Sequence, residues 1–176
     1  MSLLSTIRNG GKKVEDAVSG TARADADMDI LKKLKQEHEE VAELLGKLVE
    51  SESGAERKSL LKKIKAALVP HLRAEEAVVY DAVLALKDKD SKIDGEEGYI
   101  EHNLSDKLLA SLGKITNAMS PEFSATAKVL KELVEHHVEE EERNIWADVK
   151  KNFSDDERLE MNRAFEAAKK KVKLPQ

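Results

Sequence analysis

Apolar residues recur along most of this chain at alternating steps of three and four, the spacing of one stripe on an α-helix. The first strong stripe runs from about Asp29 to Glu52 through Leu31, Leu34, Val41, Leu45 and Leu48, and its single gap falls on His38. Gly54 breaks the chain. A second helix is predicted from about Ala55 to Lys87, with Leu61, Ile64, Leu68, His71, Glu75, Val78, Ala82 and Ala85 on its stripe. Pro70 lies inside it without a backbone donor, so a kink is expected one turn earlier. Asp88 to Gly98 reads as a polar loop with two glycines, with a possible helix start near Asp94. The third helix is predicted from about Gly95 to Asn117, through Tyr99, His102, Asp106, Leu109, Leu112 and Ile115 or Thr116. Ser120 as N-cap and Pro121 at the first helical position open a fourth, which runs to about Lys151 through Thr126, Leu130, Leu133 or Val134, His137, Glu141, Ile145 and Asp148 or Val149. Ser154-Asp155-Asp156-Glu157 is a capping box for a C-terminal helix, whose apolar face is Met161, Ala164, Phe165 and Ala168.

These elements define an all-α protein: an antiparallel up-down-up-down four-helix bundle with an additional C-terminal helix packed outside it. Residues 1–28 are expected to form a mobile N-terminal arm, 29–152 the bundle and 153–176 the C-terminal helix. In the arm, Leu3, Leu4 and Ile7 are too few for firm membrane anchoring.

Composition agrees with the pattern. In a chain of 176 residues, aromatics make up 3% and charged residues 37%, so aliphatic side chains must build the core. The net charge of -5 comes from interleaved Lys and Glu, without a basic stripe, and no nucleic-acid partner is implied. With no cysteine, disulfides, thiolate metal sites and thiol catalysis are excluded. No apolar run is long enough to span a membrane and no signal peptide is read, so the expected compartment is cytoplasmic.

The chemistry lies in a motif written twice, His71-x-x-x-Glu75-Glu76 and His137-x-x-x-Glu141-Glu142. A His and a Glu four residues apart share one helix face. Each motif follows a helix carrying one more stripe histidine, His38 in the first half and His102 in the second. One stripe histidine is ordinarily a satisfied core residue. Four of them, one per helix, with two glutamates that resist unpaired burial, point to a shared ligand. The candidate metal ligands are His38, His71, Glu75, His102, His137 and Glu141. Imidazole and carboxylate without sulfur suit iron, manganese or zinc rather than copper(I). Six ligands shared by two ions leave coordination positions open to water or a small molecule.

Flanking residues carry alternatives. His136 and Glu140 also stand one turn apart, about 100° round the helix from His137 and Glu141. His137 is preferred because it shares the stripe of Leu130 and Ile145 and aligns Trp146 with Tyr80; His136 is then a partly exposed neighbour or a partner of a ligand. Asp106, one turn past His102, would ligate metal, accept an imidazole proton or simply occupy a helix face. Tyr99, one turn before His102, would pack in the core, donate a hydroxyl or ligate metal. Glu76 and Glu142 would be exposed, salt-bridged or orient ligands. Tyr80 and Trp146 read as core plugs.

In these residues the chain resembles the hemerythrin-like family, the HHE cation-binding domain, over about residues 29 to 150. The resemblance implies a non-haem di-iron centre in a four-helix bundle: two iron ions, two carboxylate bridges and often an oxo bridge, with manganese or zinc as lesser candidates. Members bind dioxygen, sense iron or oxygen, or respond to nitric oxide and peroxide. Oxygen carriers of the family have a fifth ligand histidine where this chain has Asp106, so the four-histidine, two-glutamate type fits better. The absence of cysteine weakens the repair role, and a free-standing domain without the iron sensors' ligase adaptor is expected. The expected function is binding of, or response to, a diatomic or peroxide ligand. The alternatives are an iron-dependent stress enzyme and a metal-dependent interaction module whose protein partner is unknown.

Overall fold

The computed structural model describes residues 27–174, so the expected N-terminal arm falls largely outside the described residues. Helix α1 spans Ile30–Glu50 and is capped by Asp29, whose carboxylate accepts from the Leu31 amide at 2.8 Å. Its buried stripe is Ile30, Leu31, Leu34, His38, Val41, Leu45 and Leu48, with His38 in the gap of the apolar pattern. Helix α2 spans Gly54–Glu75 and is continuous through Pro70. The chain then leaves α geometry in a single π-helical turn, Glu76–Tyr80, before a short helix α3, Asp81–Leu84. Val78, Val79, Tyr80, Ala82 and Val83 are all buried here, a wider face than a narrow α-helical stripe presents.

The third long helix corrects the expected loop. Helix α4 spans Lys89–Lys114, capped by Asp88, which accepts from the Ser91 amide at 2.9 Å. The glycines that suggested a turn lie buried within it, where they permit close packing. A Cβ on Gly98 would come within 2.6 Å of the Tyr80 ring, and one on Gly95 within 3.1 Å of Leu84. Helix α5 spans Pro121–Arg143, with Ser120 accepting from the Phe123 amide. Where one helix to Lys151 was expected, the chain breaks at Asn144 and resumes as α6, Ile145–Asn152. Helix α7 spans Asp155–Lys169 and opens with the expected capping box.

Helix α1 packs on α2 and α5, and α4 on α5 and α2, which closes the bundle; α7 lies against α1, α2 and the π turn. Two apolar clusters fill it. One joins Leu45, Leu48, Leu61, Ile64, Leu68, Leu112, Phe123 and Leu130; the other joins Ile30, Leu34, Val79, Tyr80, Trp146, Met161 and Phe165. Buried Arg57 ties the two hairpin loops together at the first cluster, donating to the carbonyls of Ser51 (2.8 Å) and Ala118 (2.9 Å). Between the clusters lies a buried polar layer. Among the described residues no helix is long and apolar enough to cross a membrane.

Candidate metal centre

The polar layer consists of the six residues expected as ligands, all at most 5% exposed. His38 and His71 face Glu75, with Nε2 atoms 3.5 and 3.1 Å from its Oε1 and Oε2. From the other half of the bundle, His102 Nε2 lies 3.6 Å from the same Oε2 and 3.1 Å from His137 Nε2. Glu141 Oε2 is 3.4 Å from His38 Nε2 and 3.9 Å from His137 Nε2. Glu75 therefore belongs to two clusters of possible ligand atoms, one with His38 and His71 and one with His102 and His137.

Despite these approaches, both oxygens of Glu75, both of Glu141 and His38 Nε2 are buried without a hydrogen-bond partner. His38 and Glu75 fall in the clusters of possible ligand atoms, and Glu141 lies beside them. Ligand atoms about 2.1 Å from one ion lie roughly 3 Å apart when adjacent, so the spacing fits metal coordination. It fits poorly with a finished hydrogen-bond network, in which unpartnered buried carboxylates are costly.

The orientation of the imidazoles comes from a second set of four glutamates, each on a helix other than its histidine's. Every Nδ1 faces a carboxylate: His71 to Glu37 (3.0 Å), His137 to Glu101 (2.7 Å), His102 to Glu76 (3.1 Å) and His38 to Glu142 (3.1 Å). Because an ionised carboxylate only accepts, each Nδ1–H donates and Nε2 is turned inward. The circuit has a two-fold pattern. The glutamate before the first histidine of each half holds the second histidine of that half. The glutamate after each inward Glu holds the first histidine of the other half. The adjacent pairs Glu37-His38 and Glu101-His102, and Glu75-Glu76 and Glu141-Glu142, were the legible trace of this circuit.

So many carboxylates create a demand for positive charge. Burial lowers the pKa of His71, but Glu75 and Glu37 outweigh it and raise it from 6.5 to about 9. His38 is raised well above its ordinary value: burial opposes the charge, and Glu141, Glu142 and Glu75 overcome it. His137 rises for the same reason, burial against Glu101, Glu141 and Glu75. Burial alone would raise Glu75, but His71 and His38 hold it well below the usual carboxylate range. Glu37, likewise raised by burial, is brought down to about 2 by His71 and Lys169. The upward shifts of His38, His71 and His137 all come from the same negative field, which would equally favour a bound cation.

The two halves differ at one pair of positions. The Tyr80 hydroxyl reaches 3.3 Å from Nε2 of both His102 and His137, so Tyr80 belongs to the centre and is more than a core plug. Burial, with Glu141 and Glu75 nearby, raises its pKa well above normal and keeps the phenol protonated. Trp146, its counterpart, stacks on His38 with ring centroids 5.9 Å apart. The remaining candidates lie further out. Asp106 does not reach the centre; it is half-exposed and pairs with Arg73, while Ser105 takes the buried position beside it. The Tyr99 hydroxyl bonds to the Glu76 carbonyl at 3.1 Å and Asp81 at 3.0 Å, which ties it to the π turn. His136 is exposed, with Nε2 3.4 Å from Glu140 and 3.8 Å from Glu101.

Two small cavities touch the layer. One, of about 10 Å³, is bounded by His38, His71 and His137 and by Val41, Leu68, Leu72, Val134 and Val138. The other is bounded by Tyr80, His137 and Glu141 and by Asp94, Glu97, Glu101 and Glu140.

Fold and layer together define an all-helical bundle built around a buried histidine–carboxylate centre suited to cations. The chain belongs to the hemerythrin family: residues 29–147 match the hemerythrin HHE cation binding domain. It is similar to a DNA nickase of Nostoc sp. (strain PCC 7120 / SAG 25.82 / UTEX 2576), with 28% identity over 146 residues, covering 83% of this chain and 40% of that protein. The chain thus spans less than half the length of that relative. No solved structure matches it significantly.

Proposed function

We propose that this protein holds two iron ions between His38, His71, Glu75, His102, His137 and Glu141, and binds or senses a small ligand such as dioxygen, nitric oxide or peroxide there. The observation that carries this reading is the pair of buried glutamates, Glu75 and Glu141, whose four oxygens have no hydrogen-bond partner while histidines from four helices surround them. Iron, once bound, would supply reversible ferrous–ferric chemistry and open coordination positions.

The chain's own residues would do the rest. Glu37, Glu76, Glu101 and Glu142 hold the imidazoles in one tautomer. Valines and leucines around the smaller cavity exclude bulk water and leave room on the scale of one diatomic or water molecule. The Tyr80 hydroxyl stands ready to donate a hydrogen bond on the His102–His137 side.

Elemental analysis with an optical spectrum tests the centre: two iron atoms per chain and oxo-bridged ferric bands are expected, and under half an atom of any transition metal would sink it. Mixing the reduced protein with oxygen in a stopped-flow instrument separates the roles. A reversible adduct supports binding or sensing; rapid oxidation with none supports a stress enzyme. Likeness to the Nostoc protein favours one further reading, metal-dependent nicking of DNA. Conversion of supercoiled plasmid to open circles by the loaded protein, abolished by Glu75→Ala, would establish it.

A further inference from the structure

The two-fold pattern of the centre is broken on its outer side. In the first half, the motif positions of His136 and Glu140 are taken by Pro70 and Ala74. Helix α7 seals that half: Phe165 packs edge-on against His71, and Lys169 and Lys33 pair with Glu37. Among the described residues the second half has no such cover. There buried Glu101, half-buried Glu140 and exposed His136 offer ligand atoms within 4.8 Å of one another.

We propose that Glu101, His136 and Glu140 form a loading site for a divalent cation, the portal through which the inner centre fills. This rests on the dinuclear reading above and names the route by which its ions arrive. Two observations connect the outer cluster to the inner one. Glu101 serves both: its Oε2 accepts from His137 at 2.7 Å, while its Oε1 faces His136 at 3.8 Å. The adjoining cavity is bounded by Glu101 and Glu140 outside and by His137 and Glu141 inside. Glu141 lies at its inner end, 2% exposed with both oxygens unpartnered. A cation held by the outer three would pass along this shared cavity, beside the His137 ring, to meet that carboxylate. Arg143 engages Oε1 of Glu140 at 3.1 Å and leaves Oε2 facing His136. Asp94 and Glu97 extend the acidic rim and focus cations toward the opening.

The test is a filling rate. Trp146 is the chain's single tryptophan and stacks on His38, so cobalt(II) reaching the inner centre should quench its fluorescence. Chelator-stripped protein is mixed with cobalt(II) in a stopped-flow instrument, for the parent, His136→Ala, Glu140→Gln and the double variant. The expected result is filling slowed roughly tenfold in the double variant, within the range of electrostatic focusing, with the same final cobalt content. Glu132→Gln, an exposed acid on the same helix paired with Lys128, should fill at the parent rate. Equal rates for parent and double variant would overturn the portal alone, as would equal slowing by Glu132→Gln. A parent that never takes up two ions would overturn the centre itself, and the portal with it.

Discussion

Gly98 lies face to face with the Tyr80 ring, so close that an added Cβ would sit 2.6 Å from Cε2 and 2.9 Å from the hydroxyl oxygen. The tyrosine reaches the centre because α4 carries no side chain at this point. Gly98→Ala should therefore displace the ring and destabilise the fold by about 1–3 kcal/mol, the usual cost of overpacking. Thermal unfolding measures it, and an unchanged midpoint would contradict the tight fit.

Removing only the hydroxyl separates Tyr80's packing from its chemistry. Tyr80→Phe should fold and load metal normally. Loss of one donor, worth about 1 kcal/mol, should make a bound small ligand dissociate roughly fivefold faster. Ligand dissociation followed by absorbance is the measurement; an unchanged rate assigns Tyr80 to packing alone.

The glutamates behind the imidazoles should tune metal affinity without being ligands. Glu37→Gln and Glu101→Gln should each weaken metal binding about 10- to 100-fold in a chelator competition, as expected for partners that orient a ligand. Glu75→Ala and His71→Ala should instead lose metal outright. Equal loss in both sets would mean that the outer glutamates coordinate directly.

Stability of the metal-free protein should fall as pH rises. The folded-state pKa of His71, about 9, lies above its ordinary 6.5. Its protonated form therefore contributes stability that is fully present below pH 6.5 and is lost as pH rises through about 9. His38 and His137 shift in the same direction. The metal-free melting temperature should drop by several degrees across that window. The loaded protein, in which ions replace the protons, should not show the drop; parallel curves would argue against replacement.

Much of this was legible in the residues themselves. His38, His71, His102 and His137 announced the layer because each stands in an aliphatic stripe, where helical period alone sets which way a residue faces. The start of α4 is hidden in the sequence because Gly95 and Gly98 look like turn residues. Their role is close packing against Leu84 and Tyr80, and those neighbours lie on another element. On an α-helical count Tyr80 fits a core plug, and that count cannot anticipate the π turn that redirects the chain after Glu76. Asp106 was an open candidate because its stripe position gives only an approximate direction; Arg73 on α2 holds it outside.

The sequence by itself determined the all-helical pattern, the stripes that carry the four histidines and the residue types brought to the middle, since these follow from local spacing. Which glutamate backs which histidine and which half α7 covers were decided only by tertiary structure. Those relationships join residues on different helices, and no local period records how neighbouring helices are turned toward one another.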